Sequence, residues 1–143
     1  MIVRNILAGK GSDVVTVNPT ADLITAAKAM TARGIGAVVI LGADNRIVGI
    51  LSERDIVRAL AEHGPTVLSE PVSKIMTRDV KTCSENDSIS DLMAQMTAGK
   101  FRHVPVVQQE KLMGIVSIGD VVKGRVEEMD QESNTLREYI QTA

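Results

Sequence analysis

The second half of this sequence repeats the first, so the fold must accommodate an internal symmetry. The segment Gly49-Ile50-Leu51-Ser52-Glu53-Arg54-Asp55 aligns with Gly114-Ile115-Val116-Ser117-Ile118-Gly119-Asp120 at a spacing of 65 residues. Met30-Thr31-Ala32 aligns with Met96-Thr97-Ala98, and Thr16 and Val38 with Thr82 and Val104, at a spacing of 66. The one-residue slip falls between Gly42-Ala43-Asp44-Asn45 and Gln108-Gln109-Glu110-Lys111, turns in which an insertion costs little. A duplicated unit implies pseudo-two-fold symmetry, and with it two related sites.

The pattern within each copy reads β-α-β-β-α. Val14 to Val17 form a short strand, Pro19 breaks the chain, and Asp22 can cap a helix with Leu23, Ala26, Ala27 and Met30 on one face. Gly34 and Gly36 end that helix. Ala37 to Leu41 form a continuously apolar, buried strand, and a turn leads to a second strand over 47–51. Ser52 opens the next helix, whose inner face is expected at Ile56, Val57 and Leu60. The order recurs with a strand up to Thr82, a helix from Ser88 to Ala98, strands over 104–107 and 112–116, and a helix from Ser117. Each copy has an apolar lead-in, Val3-Arg4-Asn5-Ile6-Leu7 and Val72-Ser73-Lys74-Ile75-Met76. The expected fold is therefore α/β: two packed repeats, residues 1–64 and 72–126, with small helix-covered sheets. Residues 65–71 link the repeats, and 127–143 extend the last helix. On that helix Val122, Val126, Met129, Ser133, Leu136 and Ile140 recur at heptad-like spacing. Such a stripe packs on a second subunit or folds back on its own repeat; a homodimer is the expectation.

Composition excludes several functions. The net charge of −2, with one Phe, one Tyr and no Trp, gives neither the basic face nor the aromatic platforms of a nucleic-acid binder. The longest apolar run, Ala37 to Leu41, cannot span a bilayer, and the N-terminus turns polar too soon for a secretory signal. One cysteine, Cys83, permits no intrachain disulfide and no thiolate-rich metal site, and it is expected as a small, partly buried residue. A cytoplasmic protein is expected. The seven methionines fill a core or line contacts that rearrange.

Two glycine-rich motifs carry no chemistry. Gly34-Ile35-Gly36 lacks the third glycine of a dinucleotide fingerprint and precedes a strand, and Gly9-Lys10-Gly11-Ser12 lacks the first glycine of a P-loop. The sequence offers no catalytic triad, clustered carboxylates or histidine-rich metal pattern, so no catalytic residue, metal or catalytic cofactor is expected. The repeated Ser-x-x-Asp is more informative. A capping box accounts for one copy, but its usual partner is the longer Glu or Gln, and both copies follow the same glycine-led strand end. Strand ends beside helix N-termini are ligand sites in α/β folds. A carboxylate there repels phosphate and accepts hydrogen bonds from a vicinal diol, so Ser52/Asp55 and Ser117/Asp120 suit a ribose. Arg54, Arg102 and His103 are the donors available to phosphate oxygens. His103 by itself could equally be a satisfied histidine at a strand start; its neighbour Arg102 favours a ligand role.

In order and in duplicate, Thr16-Val17-Asn18-Pro19, Gly34 to Ala37, Arg102-His103-Val104-Pro105-Val106 and the paired Gly-x-x-Ser-x-x-Asp resemble the tandem cystathionine-β-synthase (CBS) domain pair, or Bateman module, over about Val3 to Val126. The resemblance implies a regulatory module, not an enzyme, that binds AMP, ADP, ATP, NAD(H) or S-adenosylmethionine between its repeats and signals to an effector protein still to be identified. It implies one cleft of Ser117 and Asp120 with Thr16, Ile35, Gly36 and Ala37, and another of Ser52, Arg54 and Asp55 with Thr82, Phe101, Arg102 and His103. Gly119 stands where Arg54 would supply a charge, so the second cleft is expected to lack one phosphate contact. Thr82-Cys83-Ser84-Glu85 departs from the Thr-Val-x-Pro pattern. The rival reading is a dimerisation or interaction module with vestigial clefts; an enzyme acting on nucleotides is a third.

Overall fold

The chain, seen in a computed structural model that describes residues 1–142, runs α1 (Val3–Lys10), β1 (Thr16–Val17), α2 (Leu23–Arg33), β2 (Ala37–Leu41), β3 (Ile47–Ser52), α3 (Glu53–His63), α4 (Ile89–Gly99), β4 (His103–Gln108), β5 (Lys111–Ser117) and α5 (Ile118–Thr142). The Asp22 side chain accepts from the Thr25 N–H at 3.1 Å, and Gly34 closes α2 in the left-handed region at φ 63°. β2 then enters a three-stranded sheet of order β1-β2-β3, parallel to β1 and antiparallel to β3. Val38, Val39 and Ile40 are fully buried, as their unbroken apolar run requires.

The second copy has the same antiparallel hairpin, β4 with β5, and each hairpin shifts register at the corresponding point, between Ile40 and Leu41 and between Val106 and Val107. The strand expected up to Thr82 is reduced to a single bridge, Cys83 with Val106. Pro105 explains the loss. In the first copy the Val39 N–H donates to the Val15 carbonyl at 3.2 Å; Pro105 stands at the matching position and has no N–H to donate. Only the bonds from Cys83 N–H to Pro105 O and from Val107 N–H to Cys83 O remain. Cys83 is buried, and burial pushes its thiol up to about 12.

Two cores result. Leu23, Met30, Val38, Ile40 and Leu51 anchor the first, and Ile89, Leu92, Met96, Val104 and Val116 the second. Each lead-in packs on the repeat it does not precede. Val3, Ile6 and Leu7 of α1 join the second core, and Val72, Ile75 and Met76 join the first. The two glycines that begin the repeated strand-end motif make room for this exchange. A Cβ on Gly114 would lie 2.8 Å from Leu7 Cδ2, and one on Gly49 only 2.3 Å from Met76 Sδ. The interval Pro65–Ser69 is a 3-10 turn, and its Val67 is buried in the first core.

One expectation about a helix face changes. The buried residues of α3 are Asp55, Ile56 and Ala59, whereas Val57 is 66% exposed. α5 buries Val121 and Gly124 near its start, and Val122, Val126, Met129, Leu136 and Ile140 are exposed along it. At 25 residues this helix extends about 37 Å. No helix among the described residues is long and apolar enough to cross a membrane.

Candidate ligand-binding clefts

The repeated strand end generates two equivalent caps. In the first, Asp55 Oδ2 accepts from the Ser52 N–H at 2.9 Å and from Ser52 Oγ at 3.1 Å, and the Asp55 N–H donates back to Ser52 Oγ at 3.3 Å. In the second, the Ser117 N–H reaches Asp120 Oδ2 at 2.9 Å and the Asp120 N–H reaches Ser117 Oγ at 3.2 Å. Both aspartates therefore hold a helix start. Each still has a second carboxylate oxygen with acceptor capacity for a ligand.

A cavity of about 380 Å³ opens at the first cap and brings together Ser52, Arg54, Asp55, Phe101, Arg102 and His103. Thr82 does not line it; Thr77, Asp79 and Lys81 from the preceding residues do. Five cationic side chains surround the space, Arg54, Arg58, Lys81, Lys100 and Arg102, against three carboxylates, Glu53, Asp55 and Asp79. The positive excess favours an anionic occupant. Arg58 Nη1 also lies 3.6 Å from Asp55 Oδ1.

A cavity of about 430 Å³ opens at the second cap and brings together Ile35, Gly36, Ala37 and Ser117, with Val15 lining it in place of its neighbour Thr16. Its charges balance, with Lys10 and Arg33 against Asp13 and Glu53. Asp120 is not in its wall. The Lys10 ammonium sits on Asp120 Oδ2 at 2.7 Å and on the Ile115 carbonyl at 3.0 Å. Burial pushes the Asp120 carboxyl upward, but the Lys10 ammonium and the Ser117 N–H outweigh it and hold the group below its ordinary value.

Glu53 and His103 line both cavities and so stand between them. The repeats meet closely here: a Cβ on Gly36 would lie 3.2 Å from His103 Nε2 and 3.5 Å from Glu53 Oε1. Burial lowers the His103 pKa, opposed by the charge of Glu53, so the ring is neutral at pH 7.

Arg58, Lys81, Lys100 and Lys10 escaped the sequence reading. The signal for Lys10 lay in the lead-in alignment. Extending the match of Leu7 with Met76 by three residues pairs Lys10 with Asp79, one beside each cap.

The CBS domain model matches this chain twice, over residues 3–62 and 72–127. The chain belongs to the CBS domain family. As a CBS pair it is similar to a CBS-domain-containing protein of Agrobacterium tumefaciens, 48% identical with a TM-score of 0.84, over 87% of this chain and 92% of that one. It is also similar to a CBS domain protein of Pyrobaculum aerophilum complexed with AMP, 28% identical with a TM-score of 0.75, over 84% and 89% of the two chains. The mitochondrial CBS domain-containing protein CBSX3 of Arabidopsis thaliana is 37% identical over 120 residues, 81% of this chain. The pair spans about 58–66% of the length of curated relatives it matches strongly.

Proposed function

We propose that this CBS pair is a non-catalytic regulatory module that binds adenine nucleotides, AMP, ADP, ATP or NAD(H), in its two clefts and relays their occupancy to a partner protein. The observation that carries this reading is the first cavity, where a ribose-type carboxylate, Asp55, stands within a surround of five cationic side chains. Its volume of about 380 Å³ falls in the range of small-molecule sites, roughly 300–1,000 Å³. The AMP complex of the Pyrobaculum aerophilum protein supports the same ligand class. Asp55 accepts the ribose diol, Arg54 and Arg102 face the phosphates, and Phe101 with the neutral His103 offers ring surface to the base. The second cleft, with balanced charge, takes the smaller anionic load. A ligand shifts the packing of the repeats only by its difference in affinity between two arrangements.

Calorimetric titration with AMP, ATP and NADH tests the proposal. Saturable binding of at least one is expected. If none binds at millimolar concentration, the sensor reading is wrong and the interaction-module reading takes its place. Conversion of bound NADH or ATP on long incubation would instead indicate an enzyme.

The exposed stripe on α5 favours a second element of function, pairing of two copies. Leu136 and Ile140 are 59% and 65% exposed, too apolar a face to leave unpartnered along a helix of this length. Sedimentation should give a dimer, and a monomer at tens of micromolar would remove that element.

A further inference from the structure

Lys10 occupies one oxygen of the ribose-type carboxylate at the second cap. Its ammonium holds Asp120 Oδ2 at 2.7 Å, and the residue lines the cavity from whose wall Asp120 is absent. The first cap carries no such ammonium: Asp55, though its side chain is 11% exposed against 24% for Asp120, is in the wall of its own cavity. At the position equivalent to Lys10 the first cleft has Asp79, and at the position equivalent to Arg54 the second has Gly119. One cleft thus takes its cation from the helix behind the cap and the other from the exchanged lead-in.

We infer that Lys10 makes the second cleft selective for anionic nucleotides over uncharged nucleosides. Asp120 Oδ1 is open to one hydroxyl, but a ribose diol that spans both carboxylate oxygens takes the place of the Lys10 ammonium on Oδ2. The displaced ammonium loses its carboxylate partner, and a phosphate supplies a new anion where a nucleoside does not. The three ammonium donors also allow Lys10 to keep its bond to the Ile115 carbonyl while it turns to the phosphate. Arg33 is the other cation lining this cavity, so changing Lys10 alone separates the two.

The inference rests on the nucleotide-binding reading above, and its test distinguishes the two. AMP and adenosine are titrated calorimetrically into Asp55→Asn, in which the first cleft is expected to be weakened, and into the same protein carrying Lys10→Ala or Lys10→Arg. With Lys10 present, AMP should bind about tenfold tighter than adenosine, the worth of one charge-assisted contact. Lys10→Ala should bring that ratio near unity and bind adenosine tighter than before, because Asp120 Oδ2 is freed. Lys10→Arg should keep the preference. An unchanged ratio in Lys10→Ala, with AMP still bound, overturns the role of Lys10 and leaves the nucleotide-binding reading intact. Absence of AMP and ATP binding to the unaltered chain overturns that reading itself. If Asp55→Asn does not fold, the comparison is made with Lys10→Ala alone, where one of two resolved binding steps must lose its preference for AMP; two unchanged steps overturn the inference.

Discussion

Asp55 performs a structural task, and the nucleotide reading gives it a second, which Asp55→Asn and Asp55→Ala separate. The structural task is the cap. Oδ2 takes the Ser52 N–H at 2.9 Å and the Ser52 hydroxyl at 3.1 Å, and the residue is only 9% exposed. Alanine orphans that N–H, which costs about 1–3 kcal/mol, and removes a favourable charge from a helix start, about 0.3–1 kcal/mol. Relief of desolvating the carboxylate offsets part of this, so the expected loss is about 1–2 kcal/mol. For a chain of this size that lowers the melting temperature by about 3–6 °C. Asparagine keeps an amide oxygen for the Ser52 N–H and should lose less than half as much. The ligand task is different, because a carboxylate accepts both hydroxyls of a diol and an amide offers one acceptor beside an NH2 group. Losing one charge-assisted bond should weaken AMP at the first cleft by about 10–100-fold in both variants. Thermal melts and calorimetry on the same preparations give both numbers. Asparagine binding AMP within about twofold of the unaltered protein would mean that capping is the only work of Asp55, since 1.4 kcal/mol corresponds to a factor of about ten.

Gly49→Ala, which drives a Cβ to 2.3 Å from Met76 Sδ, should cost about 1–3 kcal/mol in a urea melt, whereas Gly9→Ala, within α1 and with nothing within 4 Å, should stabilise by about 0.5–1 kcal/mol. Lys100 sits in the left-handed region at φ 58°, where the first copy has Gly34, so Lys100→Gly should gain about 0.5–1 kcal/mol in the same assay and also weaken anion binding at the first cleft. The folded pKa of His103 is depressed below 6.5, so between the two values the unfolded chain holds more protons and stability rises with pH. The protein should therefore lose stability as pH falls below about 6.5, and His103→Asn should remove most of that slope; an unchanged slope would exclude His103 as its source.

Much of the fold was legible because the signals are local and doubled. The apolar run of β2, the cap at Asp22, the glycine end of α2 and the slip between the two turns each follow from residue chemistry over a few positions. The failures come from partners distant in sequence. Nothing near Thr82 announces that its strand is cut short; the cause is the missing N–H of Pro105, more than twenty residues on. Val57 fits the inner face of α3 by period, yet Asp55 and Ala59 occupy that face because the cap turns the carboxylate inward. Of the first cleft, Ser52, Arg54, Asp55, Phe101, Arg102 and His103 were legible as motif residues. Arg58, Lys81 and Lys100 were not, because they belong to no motif and reach the cavity only through the packing of the repeats.

The exchange of lead-ins explains why the duplicated sites differ where they do. Each cleft draws its cap from one repeat, its opposing glycine- or histidine-led strand from the other, and a flanking residue from the lead-in that crosses over. Positions that join a core keep their character across the copies: Val3 and Val72 are both fully buried, and Leu7 and Met76 each fill the space left by a glycine. Three residues further on the chain leaves the core, and Lys10 meets Asp120 where Asp79 lines the opposite cavity. A charge reversal there costs the cores nothing. It changes one cleft without touching the other, so a pair of repeats whose cores must match can still hold two sites of different charge.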